Sequence, residues 1–118
     1  MILYMTEVVV GDFNAALRWF RDVLVLPVEL LDERRQFALL GTNQGRIGLT
    51  GCKPGAAPNL PRLTFLVEDL VGTRSRLVET RPTEIFEDHV ERYLSFRLEG
   101  PEGLQITVFA WSSSGDHT

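Results

Sequence analysis

The chain has 118 residues, of which 44% are hydrophobic and 24% charged, as expected of one compact globular domain. Its formal net charge of −4 and its lack of a basic run argue against nucleic acid or an anionic membrane as a partner. A single cysteine, Cys52, excludes an internal disulfide and a cysteine-based metal cluster, and we predict a cytoplasmic protein.

The sequence contains a weak internal repeat at a shift of 57 positions. This shift keeps the phase of the apolar residues and superimposes Val10 on Val67, Asp12 on Asp69 and Thr50 on Thr107. We therefore predict two copies of one small module within a single domain over 1–118. Repeat 1 covers 1–51 and repeat 2 covers 61–111, and the Gly- and Pro-rich linker 52–60 joins them.

Repeat 1 begins with a strand in the apolar, β-branched stretch ILYMTEVVV. Asp12 then caps a helix that starts at Phe13, has apolar residues at helical spacing up to Leu24, and is ended by Pro27. Three short strands follow, separated by the turn-like stretches DERR and GTNQG, at Val28–Leu31, Gln36–Leu40 and Arg46–Thr50.

Repeat 2 has the same order of elements. The strand RLTFLV precedes Asp69 and the helix LVGTRSRLVE, and the strands EIFEDH, YLSFRL and LQITVF follow. The order β-α-β-β-β in each copy predicts an α+β fold, in which two βαβββ modules form a curved mixed sheet with the helices on its convex face.

Strand alternation separates an apolar face of repeat 2, expected under the helices, from a mixed face. The mixed face has Arg62, Thr64, Leu66, Tyr93, Ser95, Arg97, Gln105, Thr107 and Phe109, with Trp111 continuing the phase. The same face of repeat 1 is expected to have Met5, Glu7, Ala38, Leu40, Gly48 and Thr50. This composition is typical of a concave groove that binds a small organic molecule. Our candidate ligand-binding residues are Met5, Glu7, Thr50, Arg62, Thr64, Tyr93, Arg97, Thr107, Phe109 and Trp111.

Three segments resemble the vicinal oxygen chelate superfamily, which includes glyoxalase I, the extradiol dioxygenases, and fosfomycin and bleomycin resistance proteins. The first helix of the superfamily and the residues that follow it resemble DFNAALRWFRDVLVLPV. The first strand of its second module resembles RLTFLVEDL, and its final hairpin resembles RLEGPEGLQITVF. The resemblance covers nearly the whole chain. Val25 departs from it, because a glycine usually follows the helix there.

In metal-dependent members of this superfamily, His, Gln or Glu side chains from the first and last strands of the modules hold a divalent ion. Carried over residue by residue, the four positions fall on or near Met5, Thr50, Arg62 and Thr107, none of which is a usual ligand. Arginine has no lone pair to give and repels a cation. The resemblance therefore implies a metal-free member without a cofactor, of the bleomycin resistance type. Such a member binds an antibiotic or metabolite and is commonly a homodimer.

Two other functions stay open. One is a lyase, isomerase or dioxygenase of the same superfamily, either metal-dependent or using Glu7 as a base with Arg62 or Tyr93. A buried Glu7 carboxyl is the expected sign of such an enzyme. The other is a regulatory or assembly partner with no ligand of its own. The sequence also leaves open whether the groove lies within one subunit or forms by exchange of modules.

Several candidate residues have a plain structural alternative. Arg62 either binds a ligand or forms an ion pair with Glu7, and Arg97 either binds a ligand or points to solvent. Trp111 either lines the groove or packs at a dimer interface. His89, in the polar stretch FEDHVER, is expected to be a solvated loop histidine rather than a catalytic base.

Overall fold

The structure is a computed structural model that describes residues 1–112, so residues 113–118, which include His117, lie outside the described residues. The chain divides into two compact units, Met1–Pro61 and a second that begins at Arg62. Each unit has the βαβββ order and one four-stranded mixed sheet, which confirms the predicted α+β fold of two modules. That the two modules act as a single domain stays a prediction.

The first unit forms a sheet with the strand order β1-β4-β3-β2, in which β1 is parallel to β4 and the other pairs are antiparallel. Its elements are β1 (Thr6–Val10), α1 (Phe13–Asp22), β2 (Val28–Asp32), β3 (Phe37–Gly41) and β4 (Arg46–Gly51).

The second unit repeats this arrangement with the strand order β5-β8-β7-β6, and β5 is parallel to β8. Two short 3₁₀ turns, Val78–Thr80 and Pro101–Gly103, interrupt its connections. Its helix and strands are β5 (Leu63–Leu66), α2 (Leu70–Arg76), β6 (Phe86–Asp88), β7 (Tyr93–Glu99) and β8 (Gln105–Trp111). Among the described residues, neither unit has a helix long and apolar enough to cross a membrane.

Both helices begin at the predicted aspartates. A carboxylate oxygen of Asp12 accepts a hydrogen bond from the Ala15 N–H at 3.0 Å, and one of Asp69 accepts from the Gly72 N–H at 3.0 Å. Each bond satisfies a backbone donor that has no partner within the first helical turn. The two caps lie 57 positions apart, as the repeat predicts.

The first helix ends earlier than predicted. The apolar residues at helical spacing up to Leu24 predict a helix that continues to Pro27. The helix instead ends at Asp22. The backbone turns at Val25, which has a left-handed φ of 58°, and the Leu26 N–H donates to the Phe20 carbonyl at 3.1 Å. The chain therefore leaves the helix through a left-handed residue before it reaches the proline.

The core of each unit lies between its helix and one face of its sheet. In the first unit α1 buries Phe13, Ala16, Leu17 and Phe20. The buried strand residues of the first unit are Val8, Val10, Ala38, Leu40, Ile47 and Leu49. In the second unit the buried residues are Leu63, Leu70, Leu77, Phe96, Leu98, Leu104, Ile106, Val108 and Ala110. We call the sheet face opposite the helix of the same unit its far face.

The predicted phase of β3 is wrong by one residue. Ala38 and Leu40 were expected on the same face as Gly48 and Thr50, but they pair with Leu49 and Ile47 and are fully buried. Phe37 and Leu39 occupy the far face in their place. Because side chains alternate strictly along a strand, a slip of one residue exchanges the two faces.

The constant repeat shift of 57 does not hold for the later strands. In the first unit Val8 and Ala38 both pair with Leu49, and in the second unit Phe65 and Phe96 both pair with Val108. The shift is therefore 57 from β1 to β5, 58 (96 − 38) from β3 to β7 and 59 (108 − 49) from β4 to β8. One extra residue lies in the loop at 100–104, compared with the loop at 42–45.

The corrected register changes which residue of β4 matches Thr107. Thr107 pairs with Thr64, and the residue 57 positions before Thr64 is Glu7, which pairs with Gly48. Gly48 therefore occupies the position of Thr107 in the first module. Thr50, which the repeat superimposed on Thr107, lies at the level of Phe109 instead.

Candidate functional site

The far face of the second sheet consists of alternate residues of four paired strands. Across β7 and β8 the facing pairs are Tyr93 with Trp111, Ser95 with Phe109, Arg97 with Thr107, and Glu99 with Gln105. On the other side of β8, β5 adds Thr64 beside Thr107 and Leu66 beside Phe109. The strict alternation of these strands explains why the sequence predicted this face correctly.

Aromatic rings fill one end of this face. The centroid of Phe109 lies 6.2 Å from that of Tyr93 and 5.2 Å from that of Trp111, both with edge-to-face geometry. Phe86 extends the row, 6.4 Å from Tyr93. Phe86 and Leu66 are each 57% exposed and Trp111 is 60% exposed, so this apolar surface is largely accessible. Exposed apolar surface of this kind, with polar groups beside it, is typical of binding sites.

Two guanidinium groups lie at the other end. Arg62, just before β5, donates from Nη2 to the Gln105 Oε1 at 3.4 Å. Arg97 is exposed, and its backbone N–H donates to the Thr83 hydroxyl oxygen at 2.9 Å. Within the described part of the second unit, neither guanidinium forms an ion pair with a carboxylate. Their donors are therefore available to an anion.

The far face of the first sheet is more filled by its own side chains. A Cβ atom added at Gly48 would lie 2.7 Å from the Met5 sulfur and 3.3 Å from the Phe37 ring, so these two side chains lie over the glycine. The Thr50 hydroxyl donates to the exposed Glu7 carboxylate at 3.3 Å. These contacts leave less open surface than the far face of the second sheet has.

A charged pair connects β2 and β4 of the first sheet across Gly41 of β3. The Arg46 guanidinium donates to the Glu29 carboxylate at 2.8 Å and lies 4.9 Å above the Tyr4 ring. The hydrogen bond to Glu29 is the main cause of the raised pKa of Arg46. Arg46 therefore already has an anionic partner, in contrast to Arg62 and Arg97.

The ten predicted ligand-binding residues fall into two groups. Three belong to the first unit: Met5, Glu7 and Thr50. Seven belong to the second unit and lie on or beside its far face: Arg62, Thr64, Tyr93, Arg97, Thr107, Phe109 and Trp111. The predicted ion pair between Glu7 and Arg62 would join different units and stays a prediction.

Sequence reasoning missed Phe86 as part of the face. Phe86 pairs with Ser95 and therefore lies on the far face, beside Tyr93. The segment from Ile85 to His89 is short and has few alternating residues, so its phase becomes clear only from its pairing with β7. Once β6 is aligned to β7, Phe86 and Asp88, which are two residues apart, both lie on the far face.

The fold family implies a divalent ion in its metal-dependent members, and the residues at the matching positions do not fit one. With the corrected register these positions are Met5, Gly48, Arg62 and Thr107. They offer a thioether, no side chain, a permanent cation and a neutral hydroxyl, which are poor donors for such an ion. In the part of the chain that the structure describes, no three His, Cys, Asp or Glu residues form a group that could hold a metal.

The remaining polar candidates have local partners. His89 is 79% exposed, and its Nδ1 lies 3.5 Å from the Glu87 carboxylate in the turn after β6, as expected of a solvated loop histidine. The half-buried Cys52 thiol donates to the Ala56 carbonyl oxygen at 3.1 Å. Neither residue lies on a strand of either far face.

Comparison with known proteins finds similarity in structure but not in sequence. No family profile and no curated protein matches the chain. An integron cassette protein from the mobile metagenome of the Halifax Harbour sewage outfall is 17% identical, with a TM-score of 0.79 over 92% of this chain and 97% of that chain. Lactoylglutathione lyase from Agrobacterium tumefaciens is 16% identical, with a TM-score of 0.76 over 91% of each chain.

A third solved structure that is similar to this chain is named for its superfamily. A member of the glyoxalase/bleomycin resistance protein/dioxygenase superfamily from Sphaerobacter thermophilus is 16% identical, with a TM-score of 0.75 over 93% of this chain and 97% of that chain. At such identities the likeness shows the fold alone. The fold is the one that the sequence resemblance predicts, that of the glyoxalase, bleomycin resistance and dioxygenase proteins.

Proposed function

We propose, from the premise of this shared fold, that the chain is a metal-free protein that binds a small organic ligand, such as an antibiotic or a metabolite. The far face of the second sheet is the observation that supports this most strongly. It combines exposed aromatic rings with two guanidinium groups that have no carboxylate partner within the described part of the second unit. Exposed aromatic rings beside polar groups are more typical of a binding surface than of a purely structural face.

The residues at the four metal-matching positions support the metal-free part of the proposal. The corrected register places Gly48 rather than Thr50 at one of these positions, so that position has no side-chain donor at all. Arg62 places a positive charge at another of the four positions, where it would repel a metal ion. A protein that lacks the donor set for an ion uses the fold for binding rather than for metal-assisted chemistry.

The enzymatic alternative has less support. Its metal-free form needs Glu7 as a base, and a base of this kind is expected in a buried site where its proton affinity is tuned. The Glu7 side chain is exposed and accepts a hydrogen bond from Thr50. The similarity to a lactoylglutathione lyase is a similarity of fold, and one fold serves many functions.

A thermal-shift screen of dialysed protein against a broad set of metabolites and antibiotics tests the proposal. A ligand that binds only the folded state raises the melting temperature with its concentration. Blocking the face with Ser95→Trp should abolish the shift, whereas Ser75→Trp, on the exposed side of α2, should leave it intact. The proposal fails if no compound stabilises the dialysed protein, or if both variants respond like the unsubstituted chain.

We further propose a cytoplasmic homodimer. The exposed apolar side chains of Met1, Ile2 and Leu3 support the dimer, because a subunit interface would remove them from water. Light scattering behind size exclusion should give twice the chain mass, and a double variant with Ile2→Ser and Leu3→Ser should shift it toward the monomer. A monomer at all accessible concentrations would contradict this part of the proposal.

A further inference from the structure

The far face of the second sheet is chemically divided along the strand direction. The levels of Phe109 and Trp111 are aromatic, and the levels of Thr107 and Gln105 are polar and cationic. Successive residues on one face of a strand are separated by about 7 Å. A molecule of modest size that covers the Phe109 level therefore reaches the Arg97 level as well.

The aromatic end offers ring surface rather than a generic apolar patch. Tyr93 and Trp111 both approach Phe109 edge-to-face, at 82° and 89° between ring planes. Phe86 and Trp111 remain more than half exposed. Planar rings stack on or against such side chains with defined geometry, which aliphatic groups do not match.

The two arginines of the cationic end form no ion pair within the described part of their own unit, whereas three other arginines of the chain do. Arg21, Arg35 and Arg46 each lie within 4.0 Å of an Asp or Glu oxygen, at 2.9, 3.9 and 2.8 Å. Within the described part of the second unit, the partner of Arg62 is the neutral Gln105 amide at 3.4 Å, and Arg97 forms no ion pair. An anion would supply the missing partner.

Two acidic residues share this face, and their positions are compatible with an anionic ligand. Glu99 faces Gln105, which Arg62 hydrogen-bonds from the side of β5, but the Glu99 carboxylate forms no ion pair with Arg62 or Arg97. Asp88 lies beside Tyr93, and its carboxylate accepts the N–H groups of Val90 and Glu91 at 2.9 and 2.8 Å. Asp88 is therefore engaged in its own turn.

We propose that the ligand of this face is a planar aromatic anion, whose ring lies against Phe109 and Tyr93 and whose anionic group is bound by Arg97 and Arg62. The inference rests on the proposed function, because it names the ligand class for the same face. Ring stacking fixes the position of the ligand, and the two guanidinium groups select its charge.

Three naphthalene probes that differ in charge test the inference: 2-naphthoate, 2-naphthalenemethanol and 2-naphthylmethylammonium. Binding is followed by NMR titration up to about 5 mM, a range that detects millimolar affinity. Because both arginines are exposed, the advantage of the anion is expected to be moderate, about fivefold to tenfold in Kd at low salt, and smaller at high salt.

Matched variants assign the effect to residues. Arg97→Gln should weaken 2-naphthoate about fivefold and leave the neutral alcohol within about twofold, whereas Arg18→Gln on the surface of α1 should change neither. Phe109→Leu should weaken both probes, because it removes the ring and keeps an apolar side chain. Thermal melts of each variant establish that it is folded.

The outcomes separate this inference from the proposed function. Equal or tighter binding of the neutral or cationic probe overturns the aromatic anion as the ligand class, and so does an Arg97→Gln variant that behaves like Arg18→Gln. Failure of all three probes overturns it as well. In each case the proposed function stands if the wider thermal-shift screen finds a compound that stabilises the protein and if Ser95→Trp abolishes that stabilisation.

Discussion

Val25 is the residue whose backbone conformation conflicts most clearly with its side chain. It is β-branched, 63% exposed, and has a φ of 58° at the exit of α1. A left-handed conformation costs a residue with a Cβ atom about 1–2 kcal/mol, and glycine avoids that cost. The superfamily resemblance expects glycine here, so Val25→Gly should relieve strain.

A matched substitution isolates the strain from the other effects of adding glycine. Glycine also loses side-chain burial and gives the unfolded chain more freedom, which costs about 0.5–1 kcal/mol. Val71→Gly, at a residue 61% exposed in α2, has the same losses without relieving a left-handed backbone. The difference between the two variants in free energy of unfolding should therefore be about 1–2 kcal/mol in favour of Val25→Gly.

Urea unfolding of both variants, followed by circular dichroism, measures this difference. We expect Val25→Gly to be as stable as the unsubstituted chain or slightly more so, and Val71→Gly to be less stable by about 1 kcal/mol. The melting temperatures should then differ by about 4 °C per kcal/mol. Equal destabilisation by the two substitutions would refute the argument that Val25 is strained.

Three further predictions follow from the fold. Asp12→Ala removes the acceptor for the Ala15 N–H and should lower the free energy of unfolding by about 1 kcal/mol, whereas Asp12→Asn should cost much less, as measured by urea unfolding. Leu49→Ala empties a fully buried site and should cost about 2–5 kcal/mol in the same assay. Gly48→Val crowds Met5 and should cost about 1–3 kcal/mol, and a double-mutant cycle with Met5→Ala should recover part of that cost.

The second repeat was predictable because its strands alternate strictly. In YLSFRLE and QITVFAW every second residue is apolar, and all of these except the half-buried Leu94 are buried, so the pattern determines which face meets the helix. The far face of the second sheet followed from this alternation, together with Tyr93, Arg97 and Thr107.

The first repeat was less predictable because β3 and β4 are apolar on both faces. FALLG and RIGLTG fit either phase, and the constant repeat shift chose the wrong one for Ala38 and Leu40. The repeat shift changes along the chain because the connections before the later strands differ in length between the two modules. The sequence alone does not show at which residue each of these strands begins to pair. Gly48 was therefore recognised as the counterpart of Thr107 only from the pairing.

The metal content of the protein tests the central claim most directly. Protein purified without chelators is incubated in turn with Ni²⁺, Zn²⁺, Mn²⁺ and Fe²⁺ under reducing conditions, desalted, and analysed for metal per chain. Since Met5, Gly48, Arg62 and Thr107 offer no suitable donor set, we expect far less than one ion per chain for every metal. One tightly bound ion per chain would contradict the account and place the enzymatic alternative first.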